Sequence, residues 1–369
     1  MPLSSIELRH RMHQIPELMF REFETTQLIL NNLENLPGIK IHRPIETGLV
    51  IEYSVNDGDY LLFRADIDAL PIKEETGVSF SSKNDCMHAC GHDVHTSILY
   101  GFINYCITEK VNQNIIFLFQ PAEEGGGGAK KIIDTGILKQ FKISKAFALH
   151  VTDEYPVGTA ASTPGVLFAS SLEANIWFKG KSAHVAFPYE GINAFNALRL
   201  FLDAVDKIPK NIEEPTLIGV GKISAGTVRN IVPSSAELES TIRALTSEKA
   251  LNYYDNLIRI LEGIKKSTGA DFVIEKGAHY NQVHVDPELY DKCMKGLSPK
   301  FNFIDCGYKM TGEDFGFFTD LYPSFMFWLG TRQAGSAKFG LHHPKFLPDD
   351  SIIELGIEAY KLLLNYLKQ

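Results

Sequence analysis

The sequence predicts an α/β protein: a domain built on a largely parallel sheet, interrupted by an inserted ferredoxin-like (βαββαβ) module. Three observations lead there. In the first 170 residues, short apolar runs alternate with stretches of helical spacing, long enough for right-handed crossovers between parallel strands. From about residue 171 the order becomes strand, helix, two strands, helix, strand, as in a ferredoxin-like module. After about residue 283 the first texture resumes. The expected organisation is therefore one domain from 1–170 and 283–369, with 171–282 inserted into it. A chain of 369 residues is too long for one ordinary core, which agrees with two domains.

The elements follow in order. "IELRHRMHQIPEL" and "EFETTQLILNNLENL" carry apolar residues at helical spacing, and the second stops at Pro37–Gly38. "GLVIEYSV", "YLLFRADID", "NIIFLFQP" and "KAFALHV" read as strands, separated by the helical stretches "HTSILYGFINYCITEK" and "GAKKIIDTGILKQF". In the insert, "SLEANIWFKGKSAH" is a strand and "GINAFNALRLFLDAVDKI" an amphipathic helix. The strands "PTLIGVGKISAG" and "AELESTIRAL", the helix "EKALNYYDNLIRILEGIKKSTG" and the strand "DFVIEKG" complete it. The strand "SFMFWLG" and the helix "SIIELGIEAYKLLLNYLKQ" close the chain.

Composition narrows the function. Apolar content of 44% and charged content of 22% are those of a globular protein. A net charge of −9 leaves no cationic excess to meet phosphates, which argues against a nucleic-acid or membrane-surface binder. The opening "MPLSSIELRHRMHQIPEL" lacks a basic stretch followed by an apolar one, and no apolar run of membrane-spanning length occurs; the expected compartment is the cytoplasm. Five cysteines in so long a chain do not make a disulfide framework.

Chemistry-bearing residues collect after the apolar runs. Arg64, Asp66 and Asp68 follow one; Glu123 and Glu124 follow another; His150 ends a third; His342 and His343 come after the last. In parallel α/β sheets ligands gather at the carboxyl ends of strands, so four runs would deliver Asp, Glu and His to one edge. One such residue alone would be ordinary; four together are not. The segment "MHACGHDVHTS" adds His88, Cys90, His92, Asp93 and His95 within a few positions. A helix cap explains Asp93 but not the histidines and the thiol. Cys90 and His92, separated by Gly91, can face one metal from a tight turn. Mixed thiolate, imidazole and carboxylate donors suit zinc, manganese, cobalt or nickel, and they fit a catalytic site better than a closed structural zinc.

Two look-alikes fail. "KGKSAH" is not a phosphate loop, because Asn175 stands where that pattern needs glycine. No G-x-S-x-G occurs for a nucleophilic serine. The pair Glu123–Glu124 is an acidic loop on its own evidence, since adjacent buried carboxylates repel unless a cation compensates them.

In order along the chain, "HQIPEL", "RADIDALPI", "MHACGHDVHT", "FQPAEEG", "ALHV", "GKSAHVAFPYEG", "GTVRNIVP" and "MTGEDFGFF" resemble the metal-dependent amidohydrolase and peptidase family of aminoacylases, hippurate hydrolases and auxin-conjugate hydrolases. "FALHVTDEYPVG", "MTGEDFGFFTDLYPSFMFWLG" and "GLHHPKFLPDD" resemble one subgroup most, the N-acetyldiaminopimelate deacetylases. The resemblance implies a catalytic domain holding two divalent metal ions on Cys90, His92, Glu124, His150 and His342. It makes Glu123 the general base and Asp68 the aspartate supporting the metal site, with Asp66 a rival for that role. It makes the insert a lid and dimerisation module, with His184 and Asn230 touching an N-acyl amino acid substrate. Tyr189 stands where many relatives have a second histidine, which bears on a minor contact. The implied reaction is deacetylation of N-acetyl-diaminopimelate in lysine biosynthesis, by a homodimer. A general N-acylamino-acid or hippurate-type hydrolase, and an inactive binding or regulatory homologue, are the alternatives.

Overall fold

A computed structural model describes residues 2–209 and 211–367. The chain divides into two compact units: Met1–Leu167, Val283–Tyr308 and Asp314–Gln369 form the first, and Phe168–Gln282 with Lys309–Glu313 form the second.

The first unit begins with α1 (Ser5–His13) and α2 (Phe23–Leu33), then β1 (Ile39–His42), β2 (Leu49–Tyr53) and β3 (Tyr60–Asp66). It continues through α3 (His92–Thr108), β4 (Asn114–Gln120), α4 (Gly128–Asp134), β5 (Ile143–Pro156), β6 (Thr159–Ser162) and β7 (Gly165–Phe168), whose last residue is counted with the second unit. The second unit carries β8 (Ser170–Lys179), α5 (Ala194–Asp206), β9 (Thr216–Ala225), β10 (Ser235–Ala244), α6 (Ser247–Thr268) and β11 (Asp271–Tyr280). The chain then returns to the first with β12 (Val283–Val285), α7 (Pro287–Leu297), β13 (Asn302–Asp305), α8 (Gly316–Thr319), β14 (Ser324–Arg332) and α9 (Ser351–Leu367).

Eight strands of the first unit form one sheet, in the order β1-β2-β4-β3-β5-β14-β6-β13. Its centre, β4-β3-β5-β14, is parallel; β1, β2 and β6 add antiparallel pairings. Every residue of β4 is buried, as is all of β3 beyond Tyr60, which is why Ile115–Phe119 and Leu61–Phe63 read as apolar runs. Phe63 on β3 stacks on Phe147 of β5 and meets Phe102 of α3 and Tyr360 of α9 edge-on, so strand and helix aromatics share one core. The second unit has a four-stranded antiparallel sheet in the order β11-β8-β10-β9, with α5 and α6 supplying Phe201, Leu257 and Leu261 to its core.

Some elements differ from expectation. The first helix stops at His13, before Pro16, whose missing N–H and fixed φ suit a helix poorly. The expected helix over 128–141 is broken by Gly136 (φ 76°) into α4 and a short 3-10 turn, Ile137–Gln140. Strands β1, β6, β7, β12 and β13 were not anticipated; each has only three or four residues, too few for a periodic signal. His150 was expected at a strand end, but β5 continues to Pro156. The register still sets Arg64 opposite Ala148, and Asp66 opposite Gln120, so His150 lies level with the ends of β3 and β4.

Candidate metal centre

Cys90, Gly91 and His92 form the tight entry to α3. Gly91 takes φ 83°, and a Cβ there would lie 2.4 Å from the Val151 side chain. Only glycine permits both the left-handed turn and this approach to the strand bearing His150. Cys90 Sγ lies 3.4 Å from His150 Nε2. His150 Nδ1 donates to Val151 O at 2.8 Å, which leaves Nε2 facing the thiol.

His92 is fixed from behind. Its Nδ1 lies 3.0 Å from Asp68 O and 3.1 Å from Asp68 Oδ1. The other oxygen of Asp68 accepts Glu124 N–H at 2.9 Å. His92 Nε2 is buried and has no hydrogen-bond partner among the described residues. Glu123, itself buried, has Oε2 4.0 Å from that nitrogen. His342, at φ 63°, donates its backbone N–H to Ala89 O at 2.9 Å, and its Nε2 lies 3.0 Å from Glu124 Oε1. The groups Cys90–His92–His150, Cys90–Glu124–His342 and His92–Glu123–Glu124 each gather their ligand atoms within 4.8 Å. The five residues expected to hold metal, together with Glu123 and Asp68, are thus brought to one place.

Behind these side chains lies Asp66, the rival expectation to Asp68, with partners that carry no expected role. Arg64 donates to Asp66 Oδ2 at 2.8 Å and to Asp314 Oδ1 at 2.9 Å. Asp66 Oδ1 accepts from His95 Nδ1 at 2.6 Å, and His95 Nε2 accepts the N–H of Val151 at 2.9 Å. Asp66 therefore backs His95 and, through it, the strand next to His150, and its Oδ2 also lies 3.6 Å from His92 Nε2; Asp68 holds His92 from the Nδ1 side. His95 sits three residues after His92 on α3, so helical spacing puts the two on one face. That spacing was the signal available for it.

The electrostatics favour a cation. Burial, then the charges of Glu124, Glu123 and Asp66, push the Cys90 thiol well above its ordinary value. Burial opposes a charge on His92, but Asp66 and Asp68 outweigh it and raise that imidazole to about 10. Burial also works against ionised Asp66, yet His92, His95 and Arg64 hold its carboxyl well below the usual range. A thiol, three carboxylates and an orphaned ring nitrogen that attracts positive charge are the donor set a divalent ion requires.

His184 and Asn230 lie in the second unit, and both are exposed. Their segments are bonded to each other: Val185 N–H donates to Asn230 O at 3.1 Å, and Val232 N–H to Ala183 O at 2.9 Å.

Residues 62–366 match the model of peptidase family M20/M25/M40. The chain belongs to that family. Two curated relatives named N-acetyldiaminopimelate deacetylase are similar along almost the whole chain. The protein from Bacillus cytotoxicus is 39% identical over 361 residues, 96% of this chain and 95% of its own. That from Geobacillus sp. is 38% identical over 370 residues, 98% of this chain and 96% of its own. Among solved structures, the YXEP protein of Bacillus subtilis, described as a dinuclear metal binding peptidase from the M20 family, superposes with a TM-score of 0.83 at 29% identity. That match covers 98% of this chain and 97% of the other. No helix among the described residues of this M20-family chain is long and apolar enough to cross a membrane.

Proposed function

We propose that the protein is a binuclear metal-dependent amidohydrolase that converts N-acetyl-diaminopimelate to diaminopimelate and acetate. The observation that carries the chemistry is the buried Nε2 of His92, which makes no hydrogen bond and sits among Cys90, Asp66, Glu123 and Glu124. The near full-length similarity to two N-acetyldiaminopimelate deacetylases supports the substrate.

In this reading Cys90, His92, Glu124, His150 and His342 hold two divalent ions, of zinc, manganese, cobalt or nickel. Such ions, when bound, polarise an acyl carbonyl and lower the pKa of water. Glu123 accepts a proton from the attacking water as its oxygen bonds to the acyl carbon. It then delivers that proton to the departing nitrogen as the C–N bond breaks. Asp68 holds His92 in the tautomer that directs Nε2 forward, and Asp66 serves His95. His184 helps hold the substrate carbonyl, and Asn230 touches the substrate.

Residues 171–282 form a ferredoxin-like lid and dimerisation module in this reading. Support comes from the β-α-β-β-α-β order of the second unit and from its edge strand β9, which exposes Leu217, Val220 and Ile223. Sedimentation at micromolar concentration should show a dimer; a fully active 41.2 kDa species alone would exclude it. The enzyme would work in the cytoplasm, in lysine biosynthesis, and a strain lacking it should need diaminopimelate or lysine to grow.

The test of function is a substrate panel with acetate, benzoate and indole-acetate release as readouts. N-acetyl-diaminopimelate should be preferred, dialysis against chelator should abolish turnover, and an added divalent ion should restore it. A preference of about tenfold, 1.4 kcal/mol in transition-state binding, for a benzoyl or indolyl substrate would overturn the substrate and keep the chemistry. Turnover unaffected by chelation would overturn both.

A further inference from the structure

We propose that Glu22 is the positioning residue that sets the direction of the Glu123–Glu124 pair, an inference that rests on the roles given to those two residues above. Glu22 is fully buried, and nothing in the proposed chemistry uses it. Its Oε1 accepts two backbone N–H groups, those of Phe20 and Ala122, each at 2.9 Å. Phe20 and Ala122 both have φ 56°, and they are two of the four non-glycine residues at positive φ among those described. Residues with a Cβ enter that region only at a steric cost, so something must hold them there. One carboxylate oxygen does so for both.

Ala122 stands directly before Glu123, so its torsions aim both carboxylates. The turn closes on the glycine run. Gly128 N–H donates to Ala122 O at 3.0 Å, and a Cβ on Gly126 would lie 2.6 Å from Ala122 Cβ and 3.0 Å from the Phe20 ring. Lys131 Nζ lies over that ring, 4.2 Å from its centroid. At its far end the turn is held by Asp68, through Glu124 N–H. Glu22 pins the entry and Asp68 the exit, and the two carboxylates lie between.

The test is a double-mutant cycle between Glu22 and Ala122, read as kcat, KM and metal retained against a competing chelator. Glu22→Gln keeps the accepting oxygen and should stay close to wild type in all three. Glu22→Ala should lower kcat and metal retention by about 10- to 100-fold, the range for partners standing behind a ligating group, with KM little changed. In an Ala122→Gly background, where left-handed torsions carry no steric cost, the same change should have a much smaller effect. Should Glu22→Ala fail to fold, Glu22→Asp, whose oxygen falls short of both amides, replaces it in the cycle. Equal losses in the two backgrounds, or a Glu22→Gln variant as impaired as Glu22→Ala, would overturn the proposal. If the wild-type protein releases no acetate from any substrate, the proposed function fails, while metal retention still decides the role of Glu22.

Discussion

Asp68 Oδ1 lies 3.1 Å from His92 Nδ1, while Oδ2 of the same carboxylate accepts the backbone N–H of Glu124 at 2.9 Å. One side chain thus orients an imidazole and anchors the turn that bears both glutamates. Asp68→Asn keeps the shape but removes the charge behind His92. Metal affinity should fall by about 10- to 100-fold, measured by chelator competition. The buried Asp66 should not compensate, because its oxygens are engaged by Arg64 and His95 and it lies on the Nε2 side of His92, 3.6 Å away, not at Nδ1. Unchanged affinity would show that His92 needs only the backbone carbonyl of Asp68.

Glu123 and Glu124 should respond differently to the same substitution. Glu123→Gln removes a proton acceptor, so turnover should fall by about 10²-fold or more with metal content nearly unchanged. Glu124→Gln should weaken the hold on one ion, and excess metal should restore part of the activity. Metal analysis alongside kcat separates the two. A Glu123 variant rescued by excess metal would reverse the assignment.

Gly91→Ala tests the turn that brings Cys90 and His92 together. At φ 83°, with Val151 Cγ2 only 2.4 Å from the new Cβ, strain and overpacking combine. The cost should be about 2–4 kcal/mol in chemical denaturation of the metal-free protein. Metal binding should suffer as well, since relief requires moving either the Cys90 turn or the strand of His150. A loss below about 1 kcal/mol, less than a left-handed residue with a Cβ costs by itself, would show that the turn adapts freely.

Glu22 also predicts a pH dependence of stability. Burial, then the charge of Asp68, raise its carboxyl from 4.5 to about 7, against the opposing hydrogen bonds from Thr47 and Ala122. A folded-state value raised above the unfolded one means that this contribution to stability is fully present below pH 4.5 and is lost as pH rises through about 7. Glu22→Gln removes this titration. The melting temperature of Glu22→Gln relative to wild type should therefore rise between pH 5 and pH 8. A constant difference across that range would show that Glu22 folds with an ordinary pKa.

What the sequence by itself determined is what local chemistry encodes. Unbroken apolar runs specify strands buried on both faces, and "CGH" specifies a turn because only glycine enters it without strain. "HDVH" sets two histidines on one face of α3 because a helix returns every three to four residues. The acidic pair after β4 was legible as an anomaly because two adjacent carboxylates at the end of a buried strand need a cation. What only the tertiary structure decided depends on partners far apart in the chain. Asp66 and Asp68 are the same residue type two positions apart, and only their packing shows that Asp66 bonds His95 while Asp68 meets Nδ1 of His92. Strands of three or four residues such as β6 and β13 exist because neighbouring strands satisfy their backbone groups, which no local pattern records. Glu22 lies 100 residues before Ala122, and it joins the site only because folding leaves two strained amides in need of one buried acceptor.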